Sequence, residues 1–297
     1  NGEFVFYAQP KCNMMTGKII GLESLVRWIH PERGLVPPNE FIPVLENSGF
    51  IANLDIYIWD KVCGCVRNWL DRGNRAVPIS VNVSRIDIYT VDVVACFCGL
   101  VEKYRLDPSL IEIEITESAY AENYNIIKET VEELRKSGFT VLMDDFGSGY
   151  SSLNMLKDVN VDILKIDMKF LDMSEESADR GVGILEAISS MARLMGIRVI
   201  AEGVETKEQV DFLLDIGCIY AQGYYFYKPM PVDVLEPLLE DVNKVDFRGI
   251  KARAIERFRI KDIFRENVFS ETMMNNILGG IAFYHVFRDE VELVRVN

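Results

Sequence analysis

Seven polar sites recur along the 297-residue chain, each within the last three residues of a short β-rich run: Glu23, Asn82, Glu114, Asp144 with Asp145, Lys165, Glu202 and Gln222. A strand covered on both faces should be almost wholly apolar, so charged residues at these ends require partners or a task. Brought to one place, the carboxylates would repel one another unless cations lay between them. Oxygen donors with no His or Cys among them favour Mg²⁺, Mn²⁺ or Ca²⁺ over zinc. A carboxylate shared by two such ions about 3.5–4 Å apart is the arrangement that activates a water and stabilises the leaving oxygen in phosphodiester hydrolysis. Lys165 adds a cation able to orient the attacking water or offset charge in the transition state.

Taken singly, each residue has a plainer explanation. Glu23 or Glu202 alone reads as a solvated rim residue or helix cap, Asp144-Asp145 as an Asx turn, and Lys165 as an exposed lysine. The coincidence of polar ends in strand order favours a site. Consecutive strand residues point to opposite faces, so Asp144 and Asp145 reach one centre only where strand geometry ends, and Phe146–Gly149 supplies a flexible loop there.

The elements that would position these residues alternate. Strand candidates are Phe4–Gln9, Ile19–Leu25, Val77–Val83, Ile111–Thr116, Thr140–Asp145, Val161–Ile166, Arg198–Glu202 and Ile219–Tyr224. Apolar positions at 3.6-residue spacing predict helices over Leu54–Leu70, Val91–Tyr104, Asn125–Ser137, Gly183–Met195 and Lys207–Ile216. Gly138, Gly196 and Gly217 stand where left-handed C-caps are wanted. Eight strand–helix units are the number that closes an α/β barrel, and barrel active sites lie at the C-terminal strand ends. The first two strands are joined only by Cys12–Lys18, too short for a crossover helix, which predicts a hairpin and an antiparallel first strand.

The barrel is expected over residues 1–243. After about Asp241 the rhythm stops, leaving a charged, helix-prone stretch at Arg248–Arg265, Gly279-Gly280, and two β-like runs, Ile281–Val286 and Val291–Val296. Residues 244–297 read as a helical linker with the start of a second domain, or as a docked helix and tail; the segment is faintly similar to the opening of a PAS-type sensor domain.

A hydrophobic share of 49% and a charged share of 26% describe an ordinary globular chain. No apolar run reaches the ~18 residues of a membrane span and no signal segment opens the chain, so a soluble, cytoplasmic domain is expected. A start at Asn1 without Met reads as a piece of a longer protein, whose parent could be membrane-anchored and carry regulatory domains. Net charge −14 argues against a nucleic-acid polymer as partner. Six cysteines form no C-x-x-C, and the i,i+2 pairs Cys63/Cys65 and Cys96/Cys98 suit free thiols. His30 and His285 are too few for a histidine-rich zinc site.

The ordered motifs Gln9-Pro10-Lys11, Glu23-Ser24-Leu25-Val26-Arg27-Trp28, Val81-Asn82-Val83-Ser84, Glu114-Ile115-Thr116-Glu117-Ser118, Asp144-Asp145-Phe146-Gly147-Ser148-Gly149-Tyr150, Leu164-Lys165-Ile166-Asp167, Ala201-Glu202-Gly203-Val204-Glu205 and Gln222-Gly223-Tyr224 resemble those of EAL domains over residues 3 to 240. That family hydrolyses cyclic di-GMP to linear pGpG on a TIM-like (β/α)8 barrel. The resemblance implies that Glu23, Asn82, Glu114 and Asp144 hold a first Mg²⁺ or Mn²⁺, with Asp144 and Asp145 serving a second, and that Ca²⁺ inhibits. It makes Lys165 and Glu202 the groups that position and deprotonate the water, with Gln222 completing the site. Glu117 would support the Phe146–Gly149 loop, whose position is coupled to homodimerisation. Arg27 would meet a substrate phosphate, and Gln9, Asp167 and Pro229 a guanine. Ser24 replaces the signature Ala and Ser148 the usual Thr; neither is a proposed ligand. The alternative is a catalytically inactive receptor that keeps the pocket.

Overall fold

The computed structural model describes residues 2–122, 124–147, 160–168, 175–247, 282–287 and 290–296. The chain divides into two compact units, 1–250 and 251–297. In the first, β1 (Phe4–Asn13) and β2 (Lys18–His30) form the expected hairpin, in register from Phe4↔Trp28 to Asn13↔Lys18 with one irregularity at Lys11/Cys12. A short β3 (Gly34–Val36) extends β2 antiparallel. From β2 the sheet runs parallel through β4 (Ile79–Val83), β5 (Ile111–Thr116), β6 (Thr140–Phe146), β7 (Ile163–Asp167), β8 (Arg198–Glu202) and β9 (Tyr220–Ala221). β9 then pairs antiparallel with β1, which closes an eight-stranded barrel, and β10 (Met230–Pro231) adds to the other part of β1.

Helices cover the outside for reasons visible in their spacing. Helix α1 (Pro38–Ser48) begins on a proline, tolerated in a first turn, and ends on Gly49 with φ 74°. Helix α2 (Ile51–Asp71) buries Ile51, Leu54, Ile58, Val62, Val66 and Trp69, one stripe at three- and four-residue steps. Helix α3 (Arg85–Thr90) is fixed by a capping box in which Ser84 and Asp87 exchange side-chain and backbone bonds. Helix α4 (Val93–Tyr104) is capped by Asp92, and α6 (Tyr124–Lys136), which follows α5 (Glu117–Glu122), buries Ile127, Val131 and Leu134. Helices α7 (Glu175–Leu194), α8 (Lys207–Asp215, capped by Thr206 and Gln209) and α9 (Val232–Glu240) complete the described set. Gly138, Gly196 and Gly217 have the left-handed φ their caps require.

Several expectations are corrected. The last barrel strand is two residues long rather than the predicted Ile219–Tyr224, because the backbone turns away at Gly223: a Cβ there would lie 2.1 Å from the carbonyl oxygen of Val204. The second strand runs on to His30, past Leu25, but its parallel pairing with β4 involves only Leu22 and Glu23. At 244–247 the chain still runs along the barrel, where the Ile19 amide donates to Lys244 O at 2.7 Å and Val245 is buried. Arg248–Arg265 and Gly279-Gly280 lie outside the described residues. In the second unit, β11 (Ala282–Phe287) and β12 (Glu290–Val296) pair as an antiparallel hairpin. All six cysteines are free thiols, with Cys12, Cys63 and Cys218 buried. Among the described residues no helix is long and apolar enough to cross a membrane.

One acidic pair sits apart from the strand ends. Burial and the neighbouring Asp87 push Asp55, on α2, up to about 9, and burial likewise raises Asp87. Two carboxyls so placed share a proton rather than ionise together.

Candidate active site

The site is assembled where strands leave the barrel. Register sets Asn82 beside Glu114, Thr116 beside Asp144, and Asp167 beside Glu202. Glu23 is the last β2 residue paired to β4, so the strand departs the wall at the residue that carries the carboxylate. Between β6 and β7 the pairing jumps from Met143↔Leu164 to Phe146↔Ile166, so Asp144 and Asp145 together oppose Lys165. This bulge, rather than the end of the strand, re-aims the two acids. Asp145 takes a left-handed φ of 56°, a conformation Asp tolerates better than most side chains, and its amide donates to Asp144 Oδ1 at 2.9 Å.

Lys165 is the hub. Its ammonium is 1% exposed and lies 2.6 Å from Glu114 Oε2, 2.5 Å from Glu202 Oε1, and 3.3 Å from both Glu23 Oε2 and Asp144 Oδ1. Glu202 Oε1 meets it as an ion contact outside hydrogen-bonding geometry, and that oxygen is otherwise buried without a partner, as is Gln222 Oε1. Gln222 Nε2 donates to Glu23 Oε2 at 2.6 Å and to Gln9 Oε1 at 3.0 Å, and Gln9 in turn donates to Tyr227 O. Gln222 is held by backbone on both sides, its amide donating to Ala201 O and its carbonyl accepting from Val204. The exposed Asn82 places Nδ2 3.5 Å from Glu23 Oε1, while its carbonyl accepts from Trp59.

Four carboxylates around one ammonium leave negative charge in excess. Burial opposes a charged Lys165, but Glu114, Glu202, Glu23 and Asp144 outweigh it and hold its pKa well above the ordinary lysine value. Burial pushes Glu114 up, yet the Lys165 and Lys11 ammoniums overcome it and bring the carboxyl down to about 2. The other three go the opposite way. Burial and repulsion from Glu114 raise Glu23; burial, with Glu114 and Asp145, raises Asp144; burial, with Asp144, Glu23 and Glu114, raises Glu202 well above the carboxylate range. One lysine therefore does not satisfy the cluster.

The remaining predicted residues lie around this centre. Glu117 Oε2 accepts from the Gly147 amide at 2.7 Å, while Ser148 and Gly149 of that loop lie outside the described residues. The Arg27 guanidinium stands 5.5 Å from the Tyr7 ring centroid and donates to Val26 O, so it is not drawn into the carboxylate cluster. Asp167 is half-buried next to Gly203, whose Cβ, if present, would touch Asp167 Oδ1 at 3.5 Å. Pro229 precedes β10, which lies against Tyr7 and Ala8. Asp145 is exposed at the edge of the site. Sequence reasoning missed Lys11, Glu112 and Ser80, which are joined beneath Glu114. The alternation of Glu112 and Glu114, which puts both on one face of a strand covered on both sides, was the available signal.

A closed (β/α)8-type barrel whose C-terminal strand ends carry an acid-rich, lysine-centred cluster defines the class: a barrel protein with its functional site on the rim. The EAL domain family model matches residues 1–229, and the chain belongs to that family. It is 35% identical over 239 residues to the signaling protein YkoW of Bacillus subtilis, covering 80% of this chain and 30% of that protein. It is also 35% identical over 234 residues to the bifunctional diguanylate cyclase/cyclic di-GMP phosphodiesterase MucR of Pseudomonas aeruginosa, covering 78% of this chain and 34% of MucR. A solved structure of the PaMucR phosphodiesterase in complex with c-di-GMP superposes with a TM-score of 0.74 at 34% identity, over 78% of this chain and 94% of that one. The chain thus spans about a third of the length of these curated relatives.

Proposed function

We propose that this barrel hydrolyses cyclic di-GMP to linear pGpG in bacterial second-messenger signalling, using Mg²⁺ or Mn²⁺. The observation that carries the reading is the convergence of Glu23, Glu114, Asp144 and Glu202 on the buried Lys165 at the barrel rim. Among the described residues no three acidic, histidine or cysteine groups already stand at ligating spacing; the carboxylates are drawn onto Lys165 instead. The donor set nonetheless fits hard divalent ions. It is all oxygen, burial and mutual repulsion raise Glu23, Asp144 and the adjoining Glu202, and the buried Glu202 Oε1 and Gln222 Oε1 beside the set lack hydrogen bonds. Glu23, Asn82, Glu114, Asp144 and Asp145 would hold the ions, which supply an activated water and charge compensation at the phosphate.

The chain's own groups do the rest. Lys165 stays protonated and offsets charge on the phosphoryl oxygens. Glu202, held beside it with a raised pKa, is suited to take a proton from the attacking water. Gln222 braces Glu23 and Gln9. Arg27 is assigned to a substrate phosphate, and Gln9, Asp167 and Pro229 to a guanine. Glu117 steadies Gly147, and through it the loop whose ordering the family couples to a homodimer. Regulation by domains elsewhere in a longer, cytoplasmic or membrane-anchored parent belongs to the same proposal.

The test is turnover of cyclic di-GMP followed by chromatography of pGpG. Mn²⁺- or Mg²⁺-dependent product, abolished by chelation and suppressed by Ca²⁺, is expected. Metal-independent cleavage overturns the mechanism, and tight binding with no product over hours establishes a receptor instead. Preference for a generic aryl phosphodiester overturns the substrate. A monomeric scattering mass at assay concentration removes the dimer.

A further inference from the structure

Beneath the rim cluster a second lysine is enclosed in the barrel. Lys11, on β1, is 1% exposed and directs its ammonium to Ser80 Oγ at 2.8 Å, Glu112 Oε2 at 3.0 Å and Glu114 Oε1 at 3.0 Å. An ammonium has three hydrogens, and these partners use all of them. Ser80 donates onward to Leu22 O, which fixes the hydroxyl. Gly21, opposite Lys11 in the hairpin, leaves room for the backbone of Pro78, since a Cβ there would come within 3.3 Å of Pro78 O, while it would only touch Lys11 Cδ at 3.8 Å.

Glu114 is therefore gripped at both oxygens, Oε1 by Lys11 and Oε2 by Lys165 at 2.6 Å. A carboxylate held by two charge-assisted bonds from opposite sides cannot rotate without breaking one. Glu112, two residues earlier on the same face and about 6.6 Å deeper along the strand, gives Lys11 a counter-charge of its own. The lower lysine thus orients Glu114 without cancelling the negative charge that the rim offers to a cation. We infer that Lys11 is a positioning residue for Glu114, one that fixes the direction of a metal-holding carboxylate from below. The inference rests on the proposed metal site.

Mn²⁺ titrated into the full 297-residue chain by calorimetry, with circular dichroism to check the fold, tests it. Lys11→Met is expected to weaken Mn²⁺ binding about ten- to a hundredfold, as loss of an orienting outer-shell partner does. The kcat for cyclic di-GMP should fall while KM stays put. The double variant Lys11→Met/Glu112→Gln, which removes the stranded carboxylate with the lysine but still leaves Glu114 Oε1 unheld, is expected to keep at least half of the loss in binding on a logarithmic scale. A loss that came only from the stranded Glu112 carboxylate would vanish in the double variant. Unaltered Mn²⁺ affinity in folded Lys11→Met, or full recovery in the double variant, overturns the inference. If Lys11→Met does not fold, Ser80→Ala decides: loss of one hydrogen bond to Lys11 should weaken Mn²⁺ binding about threefold, and an unchanged affinity refutes the role. A natural chain that takes up no Mn²⁺ sinks the reading of the site itself, whereas one that binds while the variants are unaffected sinks only the role of Lys11.

Discussion

The barrel interior holds two lysine-centred layers, and they differ in how completely their polar groups are matched. In the lower layer three ammonium hydrogens of Lys11 meet three oxygens. In the upper layer four carboxylates crowd one ammonium, three of them with raised pKa values, and Glu202 Oε1 and Gln222 Oε1 lack hydrogen bonds. Buried polar groups are normally satisfied, since an unmade bond costs roughly 1–3 kcal/mol. A satisfied layer holds its groups in one direction, and an unsatisfied one retains capacity to bind. The same residue types thus serve different ends according to whether donors and acceptors balance.

The comparison breaks most severely at Glu23, which touches Lys165 and Gln222 at once. Glu23→Ala is expected to abolish measurable turnover and Mn²⁺ uptake with the melting transition preserved, read by assay, calorimetry and circular dichroism; retained uptake would show that the upper layer does not depend on its acids. Lys165→Met should separate the two properties of that layer. Turnover is expected to fall about 10²–10³-fold, the scale of losing one preorganised charge at a transition state, while Mn²⁺ still binds because the acids remain; a variant active within threefold contradicts this. Gln222→Ala removes the bridge between Gln9 and Glu23 and is expected to lower kcat/KM about tenfold, an effect of roughly 1.4 kcal/mol.

The smallest effect lies outside both layers, at the pair of Asp55 and Asp87. Asp55 keeps its proton up to about 9 in the folded chain, whereas an unfolded aspartate releases it near pH 4. The folded state then binds the extra proton, so stability falls as pH rises between those values. Asp55→Asn has no such loss. Its Tm advantage over the natural chain should be near zero at pH 5 and grow to a few degrees by pH 8; an advantage independent of pH would refute the shared proton.

Much of this was legible in the sequence. Polar residues closing apolar β-runs located Glu23, Glu114, Asp144, Lys165 and Glu202, because charge on a strand covered on both faces needs a partner or a task and the rim is where barrels carry their sites. The link between the first two runs, too short for a helix, foretold the hairpin. Other features escaped for physical reasons. Helix α1 contains Pro38 and Pro43 and α9 contains Pro237, so their prolines masked the helical period. The bulge at Asp144-Asp145 is a matter of pairing with β7, which no local pattern records. The role of Lys11 depends on Glu112, a hundred residues away, and no local pattern pairs the two. Gly223 ends the last strand through a close approach to Val204 that only the folded backbone brings about.

The reversed first strand puts the two ends of one hairpin at opposite poles of the barrel. Phe4 pairs with Trp28, on the part of β2 that continues past Glu23, so β1 begins at the mouth. Val245 bridges Ile19 near the start of β2, at the floor. A disturbance of the Phe4–Trp28 end would act directly on the arm that carries Gln9, Glu23 and Arg27, whereas one at Ile19 would reach them only along the length of the strand.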